Sequence, residues 1–186
     1  MTNARLDSLP EIETAVWQQL EAATTDKAHD WRSPVLATVQ GDAADARTVL
    51  LREVAVREKQ LLFYTDERAG KVHQLLNHPR GTVVLWSRRL GWQLRCRVRL
   101  TLEVSGLAAS SRWARIRLTP SAQDYLSPLP PGAPLADVLH AGSGAVARAY
   151  FAVISAEVEA VDWLELHRDG HRRAVFDAQG ARWIQP

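Results

Sequence analysis

The chain has 186 residues and a formal charge of +2 from 23 basic and 21 acidic residues, a size that predicts one domain and a balance that argues against a nucleic-acid binder. Apolar residues make up 46% and charged residues 24%, so neither wholesale disorder nor a fibrous fold fits. The single cysteine, Cys96, excludes a disulfide scaffold and a cysteine-built zinc site, and with no run of eighteen apolar residues no membrane span is predicted.

The opening Met1 to Pro10 lacks a basic start followed by an apolar stretch, which predicts a cytoplasmic protein. Ser8-Leu9-Pro10-Glu11 reads as a capping box. Ile12, Val16 and Leu20 follow at helical spacing, with Trp17 and Ala23 widening the stripe, so a helix is expected over about residues 10–24. Strands are then expected over 34–40 (PVLATVQ), 47–52 (RTVLLR) and 61–65 (LLFYT), with a turn over 41–45. Residues 69–77 have the apolar spacing of a short helix closed by His78-Pro79, and 82–86 is again strand-like.

From Leu94 to Val104 strict alternation predicts a long half-buried strand, with Cys96 on its apolar face and Arg95, Arg97 and Arg99 on the other. A helix over about 111–118 follows. Residues 127–134 hold four prolines and read as a loop, and 136–149 reads as a helix weakened by Gly142 and Gly144. Strands over 151–166, 174–176 and 182–184 close the chain around a turn at 167–170. Six to eight strands joined mostly by short turns, without regular strand–helix alternation, favour an antiparallel barrel with inserted helices: an α+β, mainly β, single domain over 1–186 whose barrel begins near residue 34.

The histidines are scattered without supporting cysteines, so no metal site is predicted, and GxSxG, P-loop and dinucleotide fingerprints are all missing. Any phosphate must then be held by side chains. Arg47 and Arg52 bracket one strand candidate. Tyr64 and Thr65 end another, and Lys71 falls in the first turn of the helix after it. Hydroxyl, helix N-terminus and ammonium together form a phosphate cradle, although each residue alone is more often a solvated surface group. Of the 23 basic residues only three are lysines, and the arginine excess, beside 27 alanines, reads mainly as compositional bias. Trp86, Trp92, Trp113 and Trp183 read most simply as core or interface residues.

Arg47-Thr48-Val49-Leu50-Leu51-Arg52, Phe63-Tyr64-Thr65-Asp66 with Lys71, Gln74-Leu75 before Asn77-His78-Pro79, and Trp92-Gln93-Leu94-Arg95 resemble in order and interval the RxVLLK, FYTN…SRK, QL..NP and RQVR blocks of the pyridoxamine 5′-phosphate oxidase family. Val161-Asp162-Trp163 and His171-Arg172-Arg173 resemble its EFW…RLHDR block. The resemblance implies a split β-barrel homodimer with FMN between subunits, acting as an oxidoreductase on a small molecule. By the same resemblance Arg47, Thr65 and Lys71 hold the FMN phosphate. Thr48, Val49, Leu50, Leu51, Arg52 and Tyr64 line the flavin, Gln93 gives it a polar contact, and Trp163 and Arg173 complete the site from the partner. His171 is the candidate general acid or base.

Three departures stand out. The serine-arginine before the family's lysine is Ala69-Gly70, with Arg68 displaced beside it; Arg52 replaces a lysine; and Asp169 stands where the family has a substrate-binding arginine. The last speaks against pyridoxamine 5′-phosphate as substrate. The alternatives are that oxidase itself, or a carrier of flavin, deazaflavin or haem without turnover. The sequence assigns no role to residues 127–149.

Overall fold

A computed structural model describes residues 5–134 and 149–186 of the chain. Helix α1 (Leu9–Thr25) begins with the expected reciprocal cap between Ser8 and Glu11, and buries Ile12, Val16, Trp17, Leu20 and Ala23 along one face. That stripe packs against the sheet and closes one side of the core.

Among the described residues nine strands follow: β1 (Val35–Gln40), β2 (Ala43–Thr48), β3 (Leu51–Ala55), β4 (Gln60–Asp66), β5 (Arg80–Ser87), β6 (Trp92–Glu103), β7 (Phe151–Glu165), β8 (Arg172–Asp177) and β9 (Gly180–Ile184). Helix α2 (Gly70–Asn77) lies between β4 and β5, and α3 (Gly106–Ile116) follows β6. The predicted strand 47–52 is two strands, which accounts for the ninth. Thr48 ends β2 beside Val35, whereas Leu51 opens β3 opposite Phe63, and Val49 and Leu50 belong to neither. Helix α3 starts five residues ahead of the predicted 111, at Gly106, whose φ of 85° suits a residue without Cβ. The predicted 136–149 helix falls, but for its last residue, outside the described residues.

All pairings are antiparallel, in the order β2-β1-β5-β6-β7-β4-β3, with β8 also on β7 and β9 on β8. This order forces curvature. Seven strands laid flat would hold β2 and β3 roughly 29 Å apart, yet the short link between Thr48 and Leu51 spans at most about 11 Å. The sheet therefore rolls until its two ends approach, and because β2 and β3 do not pair, a seam stays open there. The second irregularity is in β7. Its first half pairs with β4 (Phe151–Glu157), and its second half pairs with β8 (Ala160–Glu165). Between them the register against β6 shifts at Arg97/Val98 and leaves Glu159 as the extra residue.

The alternation of β6 holds: Leu94, Cys96, Val98 and Leu100 are buried and their neighbours face out, until Val104 leaves the pattern at 48% exposure. Burial pushes the Cys96 thiol up to about 12, as fits an inert core residue. Among the described residues no helix is long and apolar enough to cross a membrane, and no group of His, Cys, Asp or Glu could hold a metal ion.

Candidate functional site

The start of α2 gathers the predicted phosphate residues. Lys71 stands in its first turn, half-buried, and no hydrogen bond or ion pair holds its ammonium among the described residues. Burial first, and then the charge of Arg47, lower the Lys71 pKa, while Asp66 opposes them. Asp66, though, is buried and doubly bonded to the Arg68 guanidinium, at 2.7 and 3.0 Å. The Lys71 ammonium thus lies near a second cation, while the carboxylate that favours its charge is engaged by Arg68. The helix begins without a side-chain cap at Ala69, and nothing lies within 4 Å of where a Cβ on Gly70 would sit. A phosphate fits this arrangement: open backbone at a helix start, an ammonium without a partner among the described residues, and an arginine beside it. Thr65, at the end of β4, is 3% exposed, and its hydroxyl donates to the Asp66 carbonyl at 3.2 Å.

Arg47 is held tightly. Its Nη1 donates to the Leu36 carbonyl at 3.2 Å and to Thr38 Oγ1 at 2.5 Å. Its Nη2 donates to Asp45 Oδ2 at 2.5 Å and to Gln74 Oε1 at 2.8 Å. Arg68, the displaced guanidinium, is not free to join a phosphate. Besides Asp66 it donates to the carbonyls of Ser127, Pro128 and Leu129 and lies 3.3 Å over the Tyr150 ring. It ties the proline-rich loop down.

Along the open seam, Val49 and Leu50 are half-buried, Thr48 is exposed and Leu51 is in the core. Arg52 lies 5.5 Å from the Tyr64 ring centroid. The Tyr64 hydroxyl donates to Glu53 Oε1 at 2.5 Å, and Glu53 also accepts from Arg112 and Arg115 of α3. Burial and the Glu53 carboxylate raise the Tyr64 hydroxyl pKa. Burial pushes the Glu53 pKa up as well, but Tyr64 and the arginines outweigh it and hold the carboxyl low. Glu53, Arg112 and Arg115 carry no sequence motif; they meet because α3 packs on β6 and β7 and its arginine side chains reach across to Glu53 on β3.

The remaining predicted residues lie elsewhere. Gln93 alternates with buried Leu94, so it faces away from the core, opposite Trp86 on β5 and Leu164 on β7. Arg173 is paired with Leu164 on the same outer face and grips Asp162 at 2.9 and 2.7 Å. Arg47, by contrast, sits opposite core residue Leu36 and faces inward. Within one chain Arg47 and the Gln93–Arg173 pair therefore lie on opposite faces of the sheet. Trp163 does not join Arg173: it is fully buried between Trp92 and Trp183, with ring centroids 5.4 and 6.3 Å away. His171 is exposed in the β7–β8 turn, where its Nδ1 accepts from the His167 amide at 3.1 Å. Asp169, in the same turn, is also exposed.

Residues that sequence reasoning did not single out for the site are Thr38 and Asp45. Gln74 was legible as part of a block, and a further signal was available: it stands one helical turn after Lys71, on the α2 face that is otherwise buried.

Residues 14–103 match the model of the pyridoxamine 5′-phosphate oxidase, FMN-binding domain family. No curated protein sequence matches the chain. Among solved structures, a pyridoxamine 5′-phosphate oxidase-related, FMN-binding protein from Nostoc punctiforme is similar with a TM-score of 0.71 at 21% identity, covering 98% of this chain and 100% of that one. PhzG from Burkholderia lata, solved with tetrahydrophenazine-1-carboxylic acid, is similar with a TM-score of 0.77 at 16% identity over 100% of both chains. A Clostridium acetobutylicum protein related to general stress protein 26 reaches 0.56 at 8% identity, over 94% and 98%. At these identities the likeness shows the fold alone, a split barrel, which agrees with the open seam between β2 and β3. Residues 14–103, a little under half of the chain, thus resemble the FMN-binding domain of the pyridoxamine 5′-phosphate oxidase family, and the solved structures share the fold.

Proposed function

We propose that the protein is an FMN-dependent oxidoreductase acting on a small molecule, with each flavin site built from two copies of the chain. The observation that carries this reading is the Lys71 ammonium, half-buried beside Arg47 at an uncapped helix start and without a bonded partner among the described residues, which a phosphate dianion would neutralise. The flavin-lining residues of the resemblance support the second half. Gln93 and Arg173 lie on the face opposite Arg47, so a single flavin reaches both groups only if a second copy supplies one of them. The outer face around Gln93 exposes Trp86 at 45% and Val35 at 37%, apolar surface that a second copy would cover.

FMN, once bound, supplies hydride transfer between its ring and a substrate. The protein's own part is positional. Lys71 and the first amides of α2 hold the phosphate, the inward Arg47 adds positive potential, and half-buried Val49 and Leu50 offer apolar contact to the ring. Because Tyr64 donates its proton to Glu53, it offers a ligand an acceptor oxygen rather than a donor.

The test is direct. Purified protein should carry, or take up, FMN with its visible absorbance and mass, and should bind riboflavin less tightly. The loaded protein should then be reduced by a small-molecule hydride donor. Protein that takes up no FMN overturns the flavin reading. Protein that binds FMN but is reduced by no nicotinamide, amine or phenazine-type donor is a carrier.

A further inference from the structure

Gln74 is buried at 8% exposure, and every hydrogen-bonding position of its amide is filled. Its Oε1 accepts from Arg47 Nη2 at 2.8 Å and from Thr38 Oγ1 at 2.5 Å. Its Nε2 donates to Asp45 Oδ2 at 2.7 Å and to Gln40 Oε1 at 2.9 Å. This fixes which way the amide points. Turned over, it would set its NH2 against the Arg47 guanidinium and its oxygen against the Asp45 carboxylate, so both ends would repel.

The consequence falls on Arg47. Its Nη1 and Nη2 together make four donations, and a guanidinium has five N–H groups, so only its Nε–H is without a partner among the described residues. Arginine normally grips a phosphate with two parallel donors. Here Gln74, Thr38 and Asp45 hold the fork edge-on and leave a single donor and a charge partly offset by Asp45. The same amide stands one helical turn from Lys71 on α2, so one short helix carries both the ammonium that has no partner among the described residues and the group that restrains its neighbouring cation.

We propose that Gln74 is the positioning residue of the phosphate site, holding Arg47 as a one-donor, pre-oriented cation beside Lys71. The proposal rests on the reading that Arg47 and Lys71 face the FMN phosphate, and deepens it. Gln74 need not touch the flavin; it acts through Arg47.

The experiment compares FMN and riboflavin affinities by fluorescence titration in wild type, Arg47→Ala, Gln74→Leu, Thr38→Val and the Arg47→Ala/Gln74→Leu double variant, with the 31P resonance of bound FMN as a second readout. Gln74→Leu should weaken FMN about tenfold, the scale of one lost charge-assisted contact, leave riboflavin binding within about twofold, and move the 31P resonance. Thr38→Val keeps the side-chain shape and removes a hydroxyl that bonds both Arg47 and Gln74. It should give the same selective loss in smaller measure, which keeps the proposal open to test if Gln74→Leu folds poorly. The double variant should bind FMN no more weakly than Arg47→Ala alone, because both changes remove one interaction. Equal losses on the two flavins, or additive losses in the double variant, would overturn the proposal while leaving the phosphate site intact. Wild type that binds FMN and riboflavin equally, or Arg47→Ala with unchanged FMN preference, removes the phosphate site itself and the proposal with it.

Discussion

Lys71 and Arg47 lie close enough that the guanidinium, after burial, lowers the pKa of the ammonium, and no carboxylate is bonded to Lys71 among the described residues. A half-buried ammonium with no carboxylate of its own beside a guanidinium costs folding energy that a bound anion offsets.

Replacing Lys71 should therefore have opposite effects on stability and binding. Lys71→Met should raise the melting temperature of flavin-free protein and weaken FMN about tenfold or more, with riboflavin little affected. The sign with pH follows from linkage. The unfolded lysine titrates near its ordinary 10.5 and the folded one lower, so between those values the unfolded chain binds more protons and stability rises with pH. FMN affinity should fall over the same alkaline range, as the ammonium is lost. Denaturation and titration between pH 7 and about 11 check both. A Lys71→Met protein less stable than wild type at neutral pH would contradict this account.

Subunit mixing tests the two-copy site. If Gln93 and Arg173 act on a flavin held by the other copy, Lys71→Met and Arg173→Ala proteins should each bind FMN weakly. Their co-expressed mixture should recover tight binding in about a quarter of the sites, because only mixed dimers form an intact one. No recovery in a mixture shown by mass to contain mixed dimers would place both residues on the same copy's flavin or on none.

Arg68 is expected to matter for folding more than for binding. It holds buried Asp66 with two side-chain bonds and anchors three carbonyls of the 127–129 loop. Arg68→Ala should cost about 1–3 kcal/mol in urea unfolding, the penalty for leaving a buried acceptor without partners. Asp66→Asn/Arg68→Ala should recover part of that loss. A neutral Arg68→Ala would mean that solvent replaces the guanidinium.

Acid should destabilise the protein through three arginine-bound carboxylates. Burial pushes Asp162, Glu165 and Glu53 up, but their partners hold each below its ordinary value of 3.8 or 4.5: Arg173 and Arg95 for Asp162, Arg172 and Arg5 for Glu165, and Tyr64 with Arg112 and Arg115 for Glu53. Folded values below unfolded ones give stability that is fully present above the ordinary carboxylate range and is lost as pH falls through it. Glu165→Gln should flatten the acid limb of the urea-midpoint profile between pH 5 and about 2. A profile parallel to wild type would show that the Arg5–Glu165–Arg172 cluster adds nothing.

Much of the fold could be read locally because its signals are local. The Ser8–Glu11 cap and the Ile12–Val16–Leu20 stripe mark α1 within a few turns. The period-two pattern from Leu94 fixes which side of β6 is buried, whatever strands lie beside it. The residue blocks around Arg47, Lys71 and Gln93 likewise carry the family resemblance by order and spacing alone.

What the tertiary structure decided depends on partners far along the chain. Nothing within RTVLLR says that its halves belong to opposite ends of a rolled sheet; β1 and β4 decide that by pairing with one half each. The arginine excess set a similar limit. Twenty guanidiniums look alike in sequence, but Arg68 is held by Asp66 and a loop some sixty residues away, Arg47 is restrained by Gln74, and Arg173 faces outward from the sheet. Hydrophobic periodicity is a property of one segment and survives in the sequence. Which donors of a side chain stay free is a property of everything that folds against it.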